Sequence, residues 1–301
     1  MSSPYISVVI STYTHERLSL LEDCLNGLEN QSMNDFEVVV VSEDSDVTEE
    51  IQSRDITYDI VVLEPEKEMS LSEARNFGAH QANGEIIAFI DDDAVPTEDW
   101  IQNLAELFTE YDFIAGGGPA LPDWRNVSQE PAVPAEFYWL LGASHSIPEE
   151  VTTTQNTFGT NIAFRKEVFR ELGGFNTSLG KRKNIPLQGE ETDLAIRLIK
   201  QYEVEGIGFH PEAAVEHKVF PEQVQTLHML KRAFWQGYSK AIINKKEETL
   251  EKETDFLKND LPSALAHQVK SKRSLYGVIL VLSLTAAVGA GFLYGTIRES
   301  L

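Results

Sequence analysis

The chain has 301 residues, 42% of them apolar, which is enough to bury one large core plus an appendage and too much for a disordered segment. Acidic residues outnumber basic ones 48 to 25, and the formal charge of −23 repels nucleic acid and excludes it as a partner. The acids are scattered, as at Glu22-Asp23, Glu49-Glu50, Glu149-Glu150 and Glu247-Glu248, which reads as a solvated surface suited to high salt.

Residues 1–5 are short and polar, and the apolar run after them is too brief for a signal-peptide core, so no secretory signal is expected. Ile6-Ser-Val-Val-Ile10 is a β-branched strand, followed by a polar Ser-Thr-Tyr-Thr-His-Glu-Arg turn and an amphipathic helix over 18–28. The single cysteine, Cys24, falls on the apolar face of that helix and is expected to fill core. Residues 36–41 form a second strand, ending in Ser42-Glu43-Asp44-Ser45-Asp46, and residues 60–63 a third. A helix over 72–80 leads to a fourth strand, 85–90, which ends in Asp91-Asp92-Asp93. Continuous apolar strands alternating with helices imply an α/β fold with a mostly parallel sheet covered on both faces. Ligands of such sheets bind beyond the carboxyl ends of the strands, where both acid clusters sit.

Residues 116–147 are rich in Gly, Pro and Trp without a period and are expected to form an irregular cover over the site, with strands near 116–121 and 158–164. A helix over 166–172 closes on Gly173-Gly174, suited to a C-cap. Lys181-Arg-Lys183 precedes Gly189-Glu-Glu-Thr-Asp193 and a helix to about Lys200, and from 219 the chain turns helical and charged. No residue from 274 to 297 is charged, a stretch long enough to cross a hydrocarbon core of about 30 Å. The expected plan is a catalytic domain 1–218, a charged juxtamembrane segment 219–273 and a transmembrane helix 274–297. Lys270, Lys272 and Arg273 outweigh Arg298 across this span, so the positive-inside rule leaves the large N-terminal part in the cytoplasm of a single-pass cell-membrane protein. The sequons Asn126-Val-Ser128 and Asn176-Thr-Ser178 then lie on the side that is not glycosylated.

Three aspartates in a row after an apolar strand suit a hard divalent cation, which neutralises crowded carboxylates and can bridge donor phosphates. They also suit a nucleophile. Asp91-x-Asp93-x-Val95 resembles the opening motif of haloacid-dehalogenase-type phosphatases, although that family carries it on the first strand and here it follows the fourth.

The ordered set Ile6-Ser-Val-Val-Ile-Ser-Thr-Tyr13, Asp35-Phe-Glu-Val-Val-Val-Val41, Ser72-Glu-Ala-Arg-Asn-Phe-Gly78, Ala88-Phe-Ile-Asp-Asp-Asp93 and Gly189-Glu-Glu-Thr-Asp193 resembles the family 2 inverting glycosyltransferases of GT-A fold, over about residues 5–215. The resemblance implies a nucleotide-sugar donor held by Thr12, by Glu43 or Asp44 at the nucleobase and by Arg75 at the diphosphate, with Asp91 and Asp92 either contacting the ribose and sugar or supporting Asp93. It implies Mn2+ or Mg2+ on Asp93, with His217 as a further ligand or a structural residue. Glu191 matches the general base that takes the acceptor hydroxyl proton, and Glu190 its partner. Asp193 is either a supporting acid or one half of a helix pair with Arg197 at i, i+4.

Arg232-Ala-Phe-Trp235 resembles the Gln-x-x-Arg-Trp signature of processive synthases, but the glutamine is missing and one span cannot form their channel, so single-sugar addition is expected. The acidic surface, the C-terminal span and Trp235-Gln-Gly-Tyr-Ser together resemble haloarchaeal transferases that build dolichol-phosphate-linked glycans for N-glycosylation of S-layer protein from donors that include UDP-hexuronic acids. The implied partners are the nucleotide sugar, a lipid-linked acceptor and the membrane. A membrane-anchored scaffold without catalysis stays open beside the phosphatase, because Glu stands at 43 and 191 where the family more often has Asp.

Overall fold

The computed structural model describes residues 5–128, 131, 133–182, 185–247, 256–270 and 274–298. Within these the chain divides into two compact units. The first comprises Met1–Leu121, Ile147–Lys183 and Glu190–His217, and the second Pro122–Ser146, Asn184–Gly189 and Lys218–Leu301. Residues 122–146 and 184–189 therefore group with the C-terminal part and not with the domain expected at 1–218.

The strands are β1 (Ile6–Thr12), β2 (Phe36–Ser42), β3 (Asp59–Leu63), β4 (Ile86–Asp91), β5 (Ala94–Pro96), β6 (Ala115–Gly117), β7 (Ala120–Asp123), β8 (Thr152–Thr154), β9 (Ile162–Arg165), β10 (Lys181–Arg182), β11 (Ile185–Pro186), β12 (Ile207–Phe209) and β13 (Val215–Lys218). Helices of the first unit are α1 (Leu18–Glu29), α2 (Ser45–Ser53), α3 (Leu71–Gln81), α4 (Trp100–Thr109), α5 (Lys166–Glu171) and α6 (Glu190–Tyr202).

The first unit is built on one sheet in the order β3-β2-β1-β4-β9-β6-β12-β8. β3, β2, β1 and β4 are mutually parallel, and β9 runs against both β4 and β6. Every residue of β2 is buried, and so is every residue of β1 except Ser11, which is half-buried; this explains why their sequences are nearly continuous Val and Ile and do not alternate. Alternation instead decides which face each side chain packs on. Val8, Ile10, Val38 and Val40 join α1 and α4 in one core, while Val9 and Val39 join α3, α5 and α6 in the other. Leu21, Cys24, Leu25 and Leu28 are the buried stripe of α1, so the cysteine fills core as expected. Gly78 lets α3 lie directly on the sheet, since a Cβ there would sit 2.6 Å from Val9 Cγ1. α5 ends on Gly173 and Gly174 with φ of 75° and 72°, the left-handed cap that its glycines suggested.

In parallel register Thr12 stands beside Ser42 and Ser11 beside Asp91. The carboxyl ends of β1, β2 and β4 therefore form one edge, and both acid clusters lie on it.

In the second unit a 3-10 helix (Ala135–Leu141), α7 (Thr226–Glu247), a helix Leu261–Lys270 and the C-terminal helix Ser274–Arg298 enclose a core that includes Phe137, Leu140, Met229, Ala233, Leu280 and Leu284. The C-terminal helix is long and apolar enough to cross a membrane, with a mean hydropathy of 2.0 over an 18-residue stretch within Leu275–Arg298. Its outer face exposes Ile279, Leu282, Leu293 and Ile297. The basic flank expected at Lys272 and Arg273, like Met1, lies outside the described residues.

The expected span is not a lone helix. α7 runs parallel beside it: the hydroxyls of Thr226 and Tyr276 meet at 2.9 Å, Gly237 abuts Val288, and Gly295 abuts Ala241. Gly291 and Gly295, spaced four apart, bring the two backbones into contact, the small-residue packing that holds helices together where the hydrophobic effect is weak. A Cβ on Gly291 would lie 1.8 Å from the Phe234 carbonyl oxygen, whereas one on Gly289 meets nothing within 4 Å. Gly291→Leu is thus expected to destabilise the helix pair by about 1–3 kcal/mol, and Gly289→Leu to be neutral, measured by thermal unfolding in detergent.

Candidate active site

β4 carries Asp91 out at the carboxyl edge of the sheet, a turn holds Asp92 and Asp93, and the chain returns in β5. β13 pairs with β5 antiparallel, with His217 opposite Ala94. Strand alternation buries Val215 and His217 and exposes Glu216, so the imidazole is delivered next to the acid turn. His217 Nε2 lies 3.4 Å from Asp93 Oδ1. One ligand atom each from Asp91, Asp93 and His217 converge within 4.8 Å of one another. Two carboxylates and an imidazole are a donor set that fits a divalent metal ion.

A guanidinium from the β1 turn reaches the same acids. Arg17 donates from Nε to Asp92 Oδ2 at 2.8 Å, and from Nη2 to Asp92 Oδ1 at 2.5 Å and Asp93 Oδ2 at 2.8 Å. Its guanidinium also lies over the Tyr13 ring, 5.5 Å from the centroid. Burial acts to raise Asp93, but His217 and Arg17 hold it well below the usual carboxylate range. Burial, with Asp93 alongside, pushes Asp92 up.

Arg75, expected at the donor diphosphate, is instead 2% exposed, with its fork committed to protein carboxylates. Nη2 donates to Asp91 at 2.6 Å and Nη1 to Glu190 at 2.9 Å, with the Phe175 ring 5.6 Å below. It ties the end of β4 to the start of α6. Gly159 makes the room, because a Cβ there would lie 2.7 Å from Arg75 Nη1.

Glu190 and Glu191 open α6, where the helix dipole favours negative charge. Burial pushes both up, and with Glu190 beside it Glu191 is raised to about 8. Asp193 faces elsewhere: it accepts from Arg197 Nε at 2.8 Å, and the same guanidinium donates to the carbonyls of Leu172 and Gly174, which fastens α5 to α6. Asp44 caps α2 by accepting from Asp46 N, and its other oxygen accepts from His15 N. Glu43 accepts from Met69 N through Oε1, and Thr12 is buried at the end of β1.

The sequence reading passed over Arg17 and Gly159. Arg17 carries no motif, and its only signal was its place in a polar turn at the end of a strand parallel to β4. Nothing in the sequence separates Gly159 from other loop glycines.

The chain has relatives among known proteins. The family model for glycosyl transferase family 2 matches residues 7–173. Glucosyl-dolichyl phosphate glucuronosyltransferase of Haloferax volcanii is 32% identical over 98% of this chain and 97% of its own length. Glycosyltransferase AglE of the same organism is 27% identical over 69% of this chain and 67% of its own. Among solved structures, the mannosyltransferase PcManGT from Pyrobaculum calidifontis, in complex with GDP-Man and Mn2+, superposes with a TM-score of 0.63 at 19% identity, covering 98% of this chain and 88% of that one. Staphylococcus aureus TarS in complex with UDP-GlcNAc gives a TM-score of 0.53 at 16% identity, covering 98% and 91%. These likenesses in structure show a shared GT-A fold. The chain belongs to glycosyltransferase family 2 and is a glycosyltransferase, which removes the phosphatase alternative.

Arg75→Ala leaves Asp91 and Glu190 without their shared cation and is expected to cost about 3–5 kcal/mol, read as a fall in Tm. Glu191 has an ordinary pKa of 4.5 and a raised one of about 8 in the fold, so between these values the folded state holds a proton that the unfolded state has lost. Stability is therefore full below the lower value and falls as pH rises to the upper one. Denaturant titrations should show a larger loss of stability over this range in the wild type than in Glu191→Gln.

Proposed function

We propose that this glycosyltransferase adds a single sugar, a hexuronic acid from a UDP donor, to a dolichol-phosphate-linked glycan during S-layer protein N-glycosylation, with inversion at the anomeric carbon. The observation that carries the substrate assignment is end-to-end likeness to a glucosyl-dolichyl phosphate glucuronosyltransferase, which extends through the C-terminal helix as well as the catalytic unit. The helix Ser274–Arg298, paired with α7, keeps the enzyme at the membrane with the catalytic part in the cytoplasm, which raises its local concentration near a lipid-bound acceptor. The acidic surface suits a halophile's cytoplasm.

Asp93, Asp91 and His217 hold the divalent cation, Mn2+ or Mg2+; when bound it neutralises charge on the donor diphosphate. Asp92 faces the donor ribose and sugar. Thr12 and Glu43 hold the nucleobase. Glu43 is preferred over Asp44 because both Asp44 oxygens already accept backbone N–H groups, while Glu43 uses Oε1 and keeps Oε2 for a base N–H. Arg75 acts at one remove from the donor by fixing Asp91 and Glu190.

Glu191 takes the proton from the acceptor hydroxyl as that oxygen attacks the anomeric carbon on the side opposite the diphosphate. Its raised pKa makes it a stronger base than an ordinary carboxylate; burial is the main cause, and the neighbouring Glu190 adds to it.

The test is transfer of labelled glucuronic acid from its UDP donor to glucosyl-dolichyl phosphate by the purified full chain. The wild type is expected to form labelled lipid product with kcat/KM rising with pH to a plateau above about 8, and Glu191→Gln to lose at least about 100-fold, the scale of general-base assistance. Transfer by Glu191→Gln at wild-type rates would remove the base assignment, and normal lipid-linked glycan assembly in cells whose only copy carries Asp93→Ala or Glu191→Ala would support a role as scaffold for another enzyme.

A further inference from the structure

Arg17 and the candidate cation site draw on the same carboxylate. Asp93 Oδ2 accepts from Arg17 at 2.8 Å, while Asp93 Oδ1 faces His217 at 3.4 Å. A divalent ion set among Asp91, Asp93 and His217 would thus lie close to a guanidinium, at a charge separation where repulsion between cations is strong. Yet Arg17 has a second hold. Nε and Nη2 grip both oxygens of Asp92, a residue outside the converging ligand set, so the side chain can release Asp93 without leaving the site. The Arg17 side chain is 19% exposed and sits on the first turn beyond β1, at the carboxyl edge where ligands of such sheets bind.

We propose that Arg17 is an internal counter-cation that occupies Asp93 while the donor is absent and passes its Nη2 to the donor diphosphate when metal and nucleotide enter together. The proposal rests on the reading that Asp91, Asp93 and His217 hold a divalent cation. A guanidinium fork matches phosphate oxygens as well as it matches a carboxylate, so transfer of one N–H from Asp93 to phosphate keeps the donor group satisfied and frees a carboxylate oxygen for the metal. Metal alone must displace Arg17 against charge repulsion. Metal with nucleotide diphosphate does not, because the phosphate charge receives it. Arg17 therefore strengthens the coupling between the two ligands, and by linkage it strengthens it equally in both directions.

Calorimetric titration of Mn2+ into the full chain in detergent, with and without UDP, tests this in wild type, Arg17→Gln and Arg17→Lys. Without UDP, Arg17→Gln is expected to bind Mn2+ about tenfold more tightly than wild type, the scale of one charge-assisted hydrogen bond removed from a ligand. The further gain on adding UDP should shrink by a similar factor. Arg17→Lys, which keeps the charge but not the fork, should fall between them, and it decides the question if near-ultraviolet circular dichroism finds the glutamine variant misfolded. Equal Mn2+ affinity and equal coupling to UDP across the folded proteins would overturn the counter-cation. Asp93→Ala separates the two readings: wild-type Mn2+ binding that survives this change, or no binding by any variant, removes the metal assignment and the proposal with it.

Discussion

Five carboxylates, those of Asp91, Asp92, Asp93, Glu190 and Glu191, crowd the carboxyl edge of one sheet, with the guanidiniums of Arg17 and Arg75 shared among four of them. Burying unpaired charge costs several kcal/mol per group by the general scale for ions in proteins, so the arrangement persists only because the cations are divided with economy. Arg75 takes Asp91 and Glu190, and Arg17 takes Asp92 and Asp93. The remaining negative excess is relieved in two ways. Glu191 holds its proton more tightly than an ordinary carboxylate, and the acids on the β4 turn present oxygens beside an imidazole, ready for a divalent ion.

The fold supplies that crowding through elements far apart in the chain. β4 ends at Asp91 in register with β1, so the turn that follows β1 can reach across with Arg17. β13 returns beside β5 and brings His217 from more than a hundred residues away. α6 begins with its two glutamates aimed where Arg75 can meet one of them, and Phe175 and Gly159 shape the space around that guanidinium. Both arginines thus do structural and electrostatic work at once, while burial, with Glu190 alongside, raises the basicity of Glu191 against the pull of Arg75.

Much of this was legible in the sequence because it is local. The Val-rich strands, the acid runs at their ends, the Gly173-Gly174 cap and the apolar C-terminal helix each follow from a few neighbouring residues, and the order of motifs carried the family. What could not be seen depends on tertiary approach. Arg75 looked free for a phosphate because nothing near it in sequence reveals that Glu190, well over a hundred residues on, closes on its fork. Asp193 offered two readings until Arg197 was found fastening α5 to α6. The pairing of α7 with the C-terminal helix was also hidden, since Gly237 and Gly291 become meaningful only when the helices lie side by side.

The central claim is that the acid turn forms a donor site that works through a divalent cation. Titration of UDP into the full chain in high salt, with Mn2+ or with chelator, in wild type and Asp93→Ala, tests it most directly. The account predicts binding by the wild type with Mn2+, a large loss in chelator, and no response to Mn2+ in Asp93→Ala. UDP binding that is equally tight in chelator and unchanged by Asp93→Ala would contradict it.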